Sequence, residues 1–200
     1  MTNAVMIWCR HKGDNVIGVN NQLPWHIESD AQHFWNIVAE QNLVCGRKTY
    51  ESFPENLPPL KRIFIFSGNA DYEVRDKKRD IVVSSQKELE NLLEENEDFY
   101  IAGGAEIYRL FMAGKEKFKP HIVVDCVYEG EITGNKDGVI AEISSCISVL
   151  NTKYRKITPD YVADKVFSSI WIRKGEFVEQ KILKHIFCVL ESDTTVSVNP

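Results

Sequence analysis

The chain has 200 residues, a length that ordinarily folds around one core. Its 44% hydrophobic and 26% charged residues exclude a wholly disordered chain. A formal net charge of -5, with no dense basic face and no apolar run of bilayer length, argues against a nucleic-acid binder and against a membrane protein.

The first residues, Met1 to Trp8, lack a charged leader and read as a buried strand, with Ala4 to Cys9 its apolar core. The five cysteines include no Cys-x-x-Cys pair and no Cys/His zinc spacing, so neither a metal nor a disulfide framework is expected, and a cytoplasmic location is. Arg10 to Gly18 is polar and reads as a loop. Asp30 to Gln41 places Ala31, Phe34, Trp35 and Val38 on one helical face. Leu43 to Cys45 is a strand, and Gly46 to Thr49 opens a short helix. Pro54, Pro58 and Pro59 enforce a loop. Ile63 to Phe66 and Ile81 to Val83 are strands. Ser85 then caps a helix carrying Leu89, Leu92 and Leu93, with Glu88 as its capping-box partner. The acidic stretch from Glu88 to Asp98 reads as a solvated helix face. Phe99 to Ile101 is a strand that ends at Gly103-Gly104, before a helix through Tyr108 and Phe111; Ile122 to Val124 follows. Helical crossovers between apolar strands predict an α/β fold with a largely parallel sheet. Val166 to Arg173 reads as a late antiparallel strand near a sheet edge. Glu176 to Leu190 has mixed helical spacing, and Glu191 to Pro200 is polar and expected to fray.

Parallel sheets bind ligands at the carboxyl ends of their strands, so three turns carry the chemistry. In the first, a loop from Ile17 holds Gly18, Asn20 and Asn21 before Leu23-Pro24-Trp25. Asp30 falls in the first turn of the next helix, four residues before Phe34 and on its face. A carboxylate desolvated by Phe34 and Trp25 has a raised pKa. It can hold a proton near neutral pH or pair with a cationic two-donor heterocycle. The blander alternative, left open by the spacing, is an acid that simply favours the helix dipole. In the second turn, Gly46-Arg47-Lys48-Thr49 offers amides, a hydroxyl and two cations to a phosphate, without Walker spacing. Solvated cations at a helix start are the alternative. In the third, Gly103-Gly104 lets backbone approach a ligand closely, or is only a tight turn; the Rossmann pattern is absent.

Taken in order, Ile17-Gly18, Leu23-Pro24-Trp25, Asp30, Phe34, Gly46 to Thr49 with Ser52, Gly103-Gly104 and Tyr108 closely resemble the dihydrofolate reductase family. The resemblance covers roughly Met1 to Val127 and extends toward Arg173. It implies a three-layer α/β fold with a central mostly parallel sheet, an antiparallel late strand and flanking helices. It further implies a catalytic domain at 1–174 and a C-terminal extension at 175–200. The implied reaction is NADPH-dependent reduction of 7,8-dihydrofolate to tetrahydrofolate, with hydride transfer to C6 and protonation at N5. Antifolates would be ligands, and a monomer is expected, with an oligomer through the extension as the alternative.

The resemblance also implies roles. Asp30 hydrogen-bonds the pterin 2-amino group and N3 and promotes N5 protonation, Trp25 holds an ordered water beside it, and Leu23 covers the nicotinamide from a mobile loop. Ile7, Trp8, Cys9, Phe34, Arg62 and Tyr108 contact substrate. Cys9, Ile17, Asn21, Gly46, Arg47, Lys48, Thr49 and Ser67 contact cofactor, joined by Ala102, Gly103, Gly104, Ala105, Glu106, Ile107 and Tyr108, with the Gly-Gly bond cis. The family's Arg for the folate α-carboxylate is one residue out of step, so Arg62 is favoured and Lys61 left open. Asp125 stands at what resembles the position of a Thr supporting the acid, and Glu106 where some members carry a cation or hydroxyl. Two rivals remain: a same-fold reductase of another pterin or pyrimidine, and a non-catalytic ligand-binding relative.

Overall fold

A computed structural model describes residues 3–93, 97–132 and 138–192. Along the chain run β1 (Ala4–His11), β2 (Val16–Val19), α1 (Glu28–Val38), β3 (Asn42–Gly46), α2 (Arg47–Ser52), β4 (Arg62–Phe66) and β5 (Asp80–Val83). Next come α3 (Gln86–Leu92), β6 (Phe99–Ile101), α4 (Ala105–Ala113), β7 (Ile122–Tyr128), β8 (Ile140–Glu142) and α5 (Ser144–Lys153). The last elements are β9 (Tyr154–Lys156), β10 (Tyr161–Ala163), β11 (Val166–Arg173) and α6 (Gln180–Ser192).

The main sheet is ordered β10-β11-β7-β1-β6-β3-β4-β5, with β9 also paired to β11. The run from β7 to β5 is parallel throughout, and β11 joins β7 antiparallel. These strands are the apolar runs seen in the sequence, because a sheet covered on both faces selects near-continuous hydrophobic strands. Side chains alternate across the sheet. Val5, Ile7, Val124 and Cys126 share one core with Ile37 of α1, Tyr50 of α2 and Ile186 of α6. Ala4, Met6, Trp8 and Val123 share the other with Leu89 of α3, Phe111 of α4 and Leu150 of α5. Three layers result. The strand order doubles back at β1, β6 and β3, and the crevice outside their carboxyl ends is where such a sheet accepts ligands.

Several local readings change. Arg10 and His11 extend β1, and Val16–Val19 is a strand rather than loop, paired antiparallel with β8. β11 is antiparallel and lies near the sheet edge as read, covered there by the short strands β9 and β10. Ser85 does cap α3, accepting the Glu88 amide at 3.2 Å, but the Glu88 carboxylate reaches back to Ser84. Glu97 and Asp98 are not on a solvated helix face: Glu97 is buried against Lys61 and Arg62, and Asp98 accepts from the amide of Asn3. The segment after Gly175 forms α6, which packs on α1 and buries Ile182, Ile186 and Leu190. Glu191 and Ser192 belong to that helix, and the rest of the stretch expected to fray lies outside the described residues.

Candidate active site

The turns after β3 and β6 meet at the crevice. The Gly46 amide donates to the Gly103 carbonyl at 2.7 Å, so the two turns are fixed against each other. Gly103 has φ 95, in the region that favours glycine, and an added Cβ would lie 2.7 Å from the Tyr108 ring. The Gly103-Gly104 peptide is cis. Tyr108, on the first turns of α4, donates its hydroxyl proton to the Ile7 carbonyl at 2.6 Å, tying this corner to the middle of β1. Burial holds its phenol well above the usual tyrosine pKa, so it stays a donor.

These elements bound a single cleft of about 840 Å³, within the range of small-molecule sites. Its floor takes in Ile7, Trp8, Cys9, Ala102 and Gly104. One wall is α1, with Asp30 and Phe34. The other is built from Gly46, Arg47, Lys48 and Thr49, then Ser67, then Ala105, Glu106, Ile107 and Tyr108. Ile17, Asn21 and Leu23 stand at the mouth, where Leu23 is 57% exposed. The base of this loop is held by the β2–β8 pair and by Asn20, whose amide and side chain both bond Val139. Trp25 and Gly103 stand behind the lining, Trp25 buried with its ring 4.9 Å from that of Tyr128.

Asp30 is half-buried on the first turn of α1. Burial among apolar groups raises its carboxyl from 3.8 to about 6, while Cys9 and Trp25 favour the charged form. The Cys9 thiol bonds the carboxylate and is itself pushed well up by burial and by Asp30. The Trp25 indole N–H lies close enough to favour the anion, yet forms no well-aligned hydrogen bond with any described residue. Cys126, the β7 neighbour of Cys9, also lines the cleft and accepts the Ser168 hydroxyl at 3.2 Å.

Two expectations are corrected by strand geometry. Asp125 does not support Asp30. It is one residue from Cys126, so its side chain leaves the opposite face of β7. There it accepts from Trp8 Nε1 at 2.6 Å and takes both Arg10 Nε and Nη2, at 2.8 and 2.9 Å. Trp8 lines the cleft, but its indole nitrogen is committed to that buried carboxylate. Nor does Arg62 reach the cleft. It is the first residue of β4, at the end of the strand away from the crevice, and bonds Asn42 Oδ1, the Leu92 carbonyl and Glu97. Lys61 pairs with the same Glu97. Sequence reading also missed Cys126, Trp35 and Phe53 as lining residues. Trp35 follows the helical face already read for Phe34, whereas Cys126 needs the strand register.

Two cations line the cleft at the second turn. Lys48 is exposed at the start of α2, and Arg47 is paired with Glu51 at 2.7 Å and stacked over Tyr72. Glu106 is exposed on α4 beside them and makes this part of the wall less positive.

Comparisons with known proteins agree with this geometry. A sequence profile described as dihydrofolate reductase matches residues 3–132. A dihydrofolate reductase from Bacillus subtilis is 35% identical over 95 residues, 48% of this chain and 54% of that protein. One from Enterococcus faecium is 27% identical over 127 residues, covering 64% of this chain and 74% of that protein. The first of these matches thus spans about half the length of the relative. Among solved structures, dihydrofolate reductase from Enterococcus faecalis, complexed with NADP(H) and a second ligand, superposes with a TM-score of 0.64 at 22% identity. That superposition covers 86% of this chain and 96% of that one. With the profile matched over most of its length and the three turns meeting at one crevice, the chain belongs to the dihydrofolate reductase family.

Proposed function

We propose that this chain reduces 7,8-dihydrofolate to tetrahydrofolate with NADPH. The observation that carries the reading is the half-buried Asp30 carboxyl, raised to about 6, in one cleft with the Gly103-Gly104 turn. The cofactor half of the cleft fits a dinucleotide. Glycine backbone leaves open approach at Gly46 and Gly104, the Thr49 hydroxyl lies 3.4 Å from where a Gly104 Cβ would be, and Lys48, Arg47 and Ser67 stand ready for phosphate. When bound, the reduced nicotinamide supplies the hydride that goes to C6 of the pteridine.

The chain's own residues do the rest. The Asp30 carboxylate accepts hydrogen bonds from the pteridine 2-amino group and N3, which fixes the ring against Phe34 and Ile7. With a pKa near 6, the same group is partly protonated close to neutrality and favours a proton at N5. Tyr108 and the Gly103-Gly104 turn set the depth of the nicotinamide side. Leu23, exposed at the mouth, closes over the rings to exclude water. We assign 1–174 as the catalytic domain, with 175–200 as its extension. A monomer is supported by α6 burying its apolar face on its own chain, and a cytoplasmic setting by free thiols at all five cysteines. No helix among the described residues is long and apolar enough to cross a membrane.

The test is spectrophotometric. NADPH absorbance should fall when dihydrofolate is added, and a diaminopyrimidine antifolate should stop the loss. Tight antifolate binding with no NADPH consumed would instead make the chain a non-catalytic ligand-binding relative.

A further inference from the structure

Cys9 and Ile7 leave the face of β1 that packs toward α1, whereas Trp8 and Arg10 leave the other face and meet Asp125 there. Cys9 is partly exposed in the floor of the cleft, and its thiol bonds the Asp30 carboxylate. The other ionisable side chains packed around this acid are engaged elsewhere or come from its own end of the chain. Tyr108 of α4 gives its proton to the Ile7 carbonyl at 2.6 Å, and Cys126 of β7 accepts the Ser168 hydroxyl at 3.2 Å. His26 and His33 line the cleft from the loop before α1 and from α1 itself. Two donors therefore act on Asp30 from the protein side: the Cys9 thiol and, less well aligned, the Trp25 indole N–H.

We propose that Cys9 is a positioning residue: its thiol donates to the Asp30 carboxylate from the sheet floor and holds the oxygens so that their remaining lone pairs face the pteridine. The inference rests on the reductase reading above and adds a residue that acts through Asp30. A carboxylate has about four lone-pair sites, and a two-donor heterocycle needs two of them presented together. A donor below the group turns it to meet that demand. A thiol is a weak donor, but its bond to a charge in a desolvated site is stronger than the same bond in water. It favours the anion, opposing the effect of burial on Asp30.

The experiment follows the Asp30 carboxyl carbon by NMR as pH is varied in the free full-length chain, its resonance assigned by its loss in Asp30→Asn. In Cys9→Ala the midpoint should move up by about half a pH unit to one pH unit, the effect of losing one hydrogen bond to the charged form. Cys9→Ser keeps a donor and should return the midpoint toward the wild-type value. The fall in hydride-transfer rate with rising pH should be displaced in the same direction in Cys9→Ala, and KM for dihydrofolate should rise while KM for NADPH does not. A midpoint unmoved in Cys9→Ala, or moved equally in Cys9→Ser, would overturn the proposal. So would an equal shift in Cys126→Ala, because lost volume rather than a lost bond would then be the cause. The wild type gives a readout that needs no variant to fold: the Cys9 S–H infrared band should move to lower frequency as Asp30 ionises, and a band indifferent to pH would contradict the bond. If the wild type consumes no NADPH with dihydrofolate, the reductase reading falls, while the carboxyl titration still decides whether Cys9 holds Asp30.

Discussion

The Gly46 amide donates to the Gly103 carbonyl across 2.7 Å, joining the turn after β3 to the turn after β6. Neither glycine accepts a larger residue easily. A Cβ on Gly46 would lie 3.2 Å from Ile107, and one on Gly103 would enter the Tyr108 ring. The bond therefore sets how closely the two turns approach each other. Gly103→Ala is expected to cost about 1–3 kcal/mol, the usual penalty for a side chain in a disfavoured φ region, and to displace Tyr108 from Ile7. Thermal unfolding reads the first effect, and a raised KM for NADPH the second. An unchanged melting temperature would show that the corner yields freely.

Asp30 should be a burden on stability at neutral pH. Its folded-state pKa of about 6 lies above the 3.8 of a free carboxyl, so between these values the folded chain holds a proton that the unfolded chain has lost. The folded state then binds more protons, and stability falls as pH rises from about 4 to about 6. Above that window the cost of the buried charge is fully present. Asp30→Asn is thus expected to raise the melting temperature at pH 7 and to have little effect near pH 4. A lower melting temperature at pH 7 would mean that the carboxylate is held by partners stronger than its desolvation.

Asp125 has the opposite character. Trp8 and Arg10 satisfy both of its oxygens in a buried site, so Asp125→Ala leaves a buried cation unpaired and is expected to cost about 3–5 kcal/mol. Because its side chain lies on the other face of β7 from Asp30, the pH dependence of turnover should be retained in whatever protein remains folded. Chemical denaturation and a pH–rate profile separate the two effects. A shifted profile would place Asp125 in the site after all.

These two aspartates show where sequence reading reached and where it stopped. Asp30 was legible because its neighbours are local: Leu23-Pro24-Trp25 precede it in the chain, and helical spacing puts Phe34 one turn on along the same face. The glycine turns were legible for the same reason, since each sits between an apolar strand and a helix. Asp125 was misplaced because face selection depends on pairing with β1, and a shift of one residue exchanges it with Cys126. Arg62 was misread because a composition of two cations says nothing of which strand end they occupy. The β8 and α5 elements were missed, as Ile140–Glu142 is too short and polar to stand out, and Ser144–Lys153 has only a weak apolar stripe. The helical character of α6 showed in its spacing; that it would pack on α1 is a matter of tertiary docking.

Arg47 tests the cofactor side. Arg47→Ala is expected to raise KM for NADPH by about tenfold, the loss of one charge-assisted phosphate contact, and to move KM for NADH by no more than about twofold. Steady-state kinetics with both nucleotides is the measurement. Equal effects on the two would show that Arg47 does not read the extra phosphate, leaving Lys48 and Ser67 as its ligands.

The most direct test of Asp30 is the pH dependence of the hydride-transfer rate, followed by stopped flow in the wild type and in Asp30→Asn. The wild-type rate should decline as pH rises through about 6, as the carboxyl loses its proton. Asp30→Asn should be slower by about 10²- to 10⁴-fold at pH 7, the usual contribution of a placed proton donor, and should recover toward low pH where solvent protonates N5. A variant that keeps the wild-type rate and profile at pH 7 would contradict the role assigned to this carboxyl.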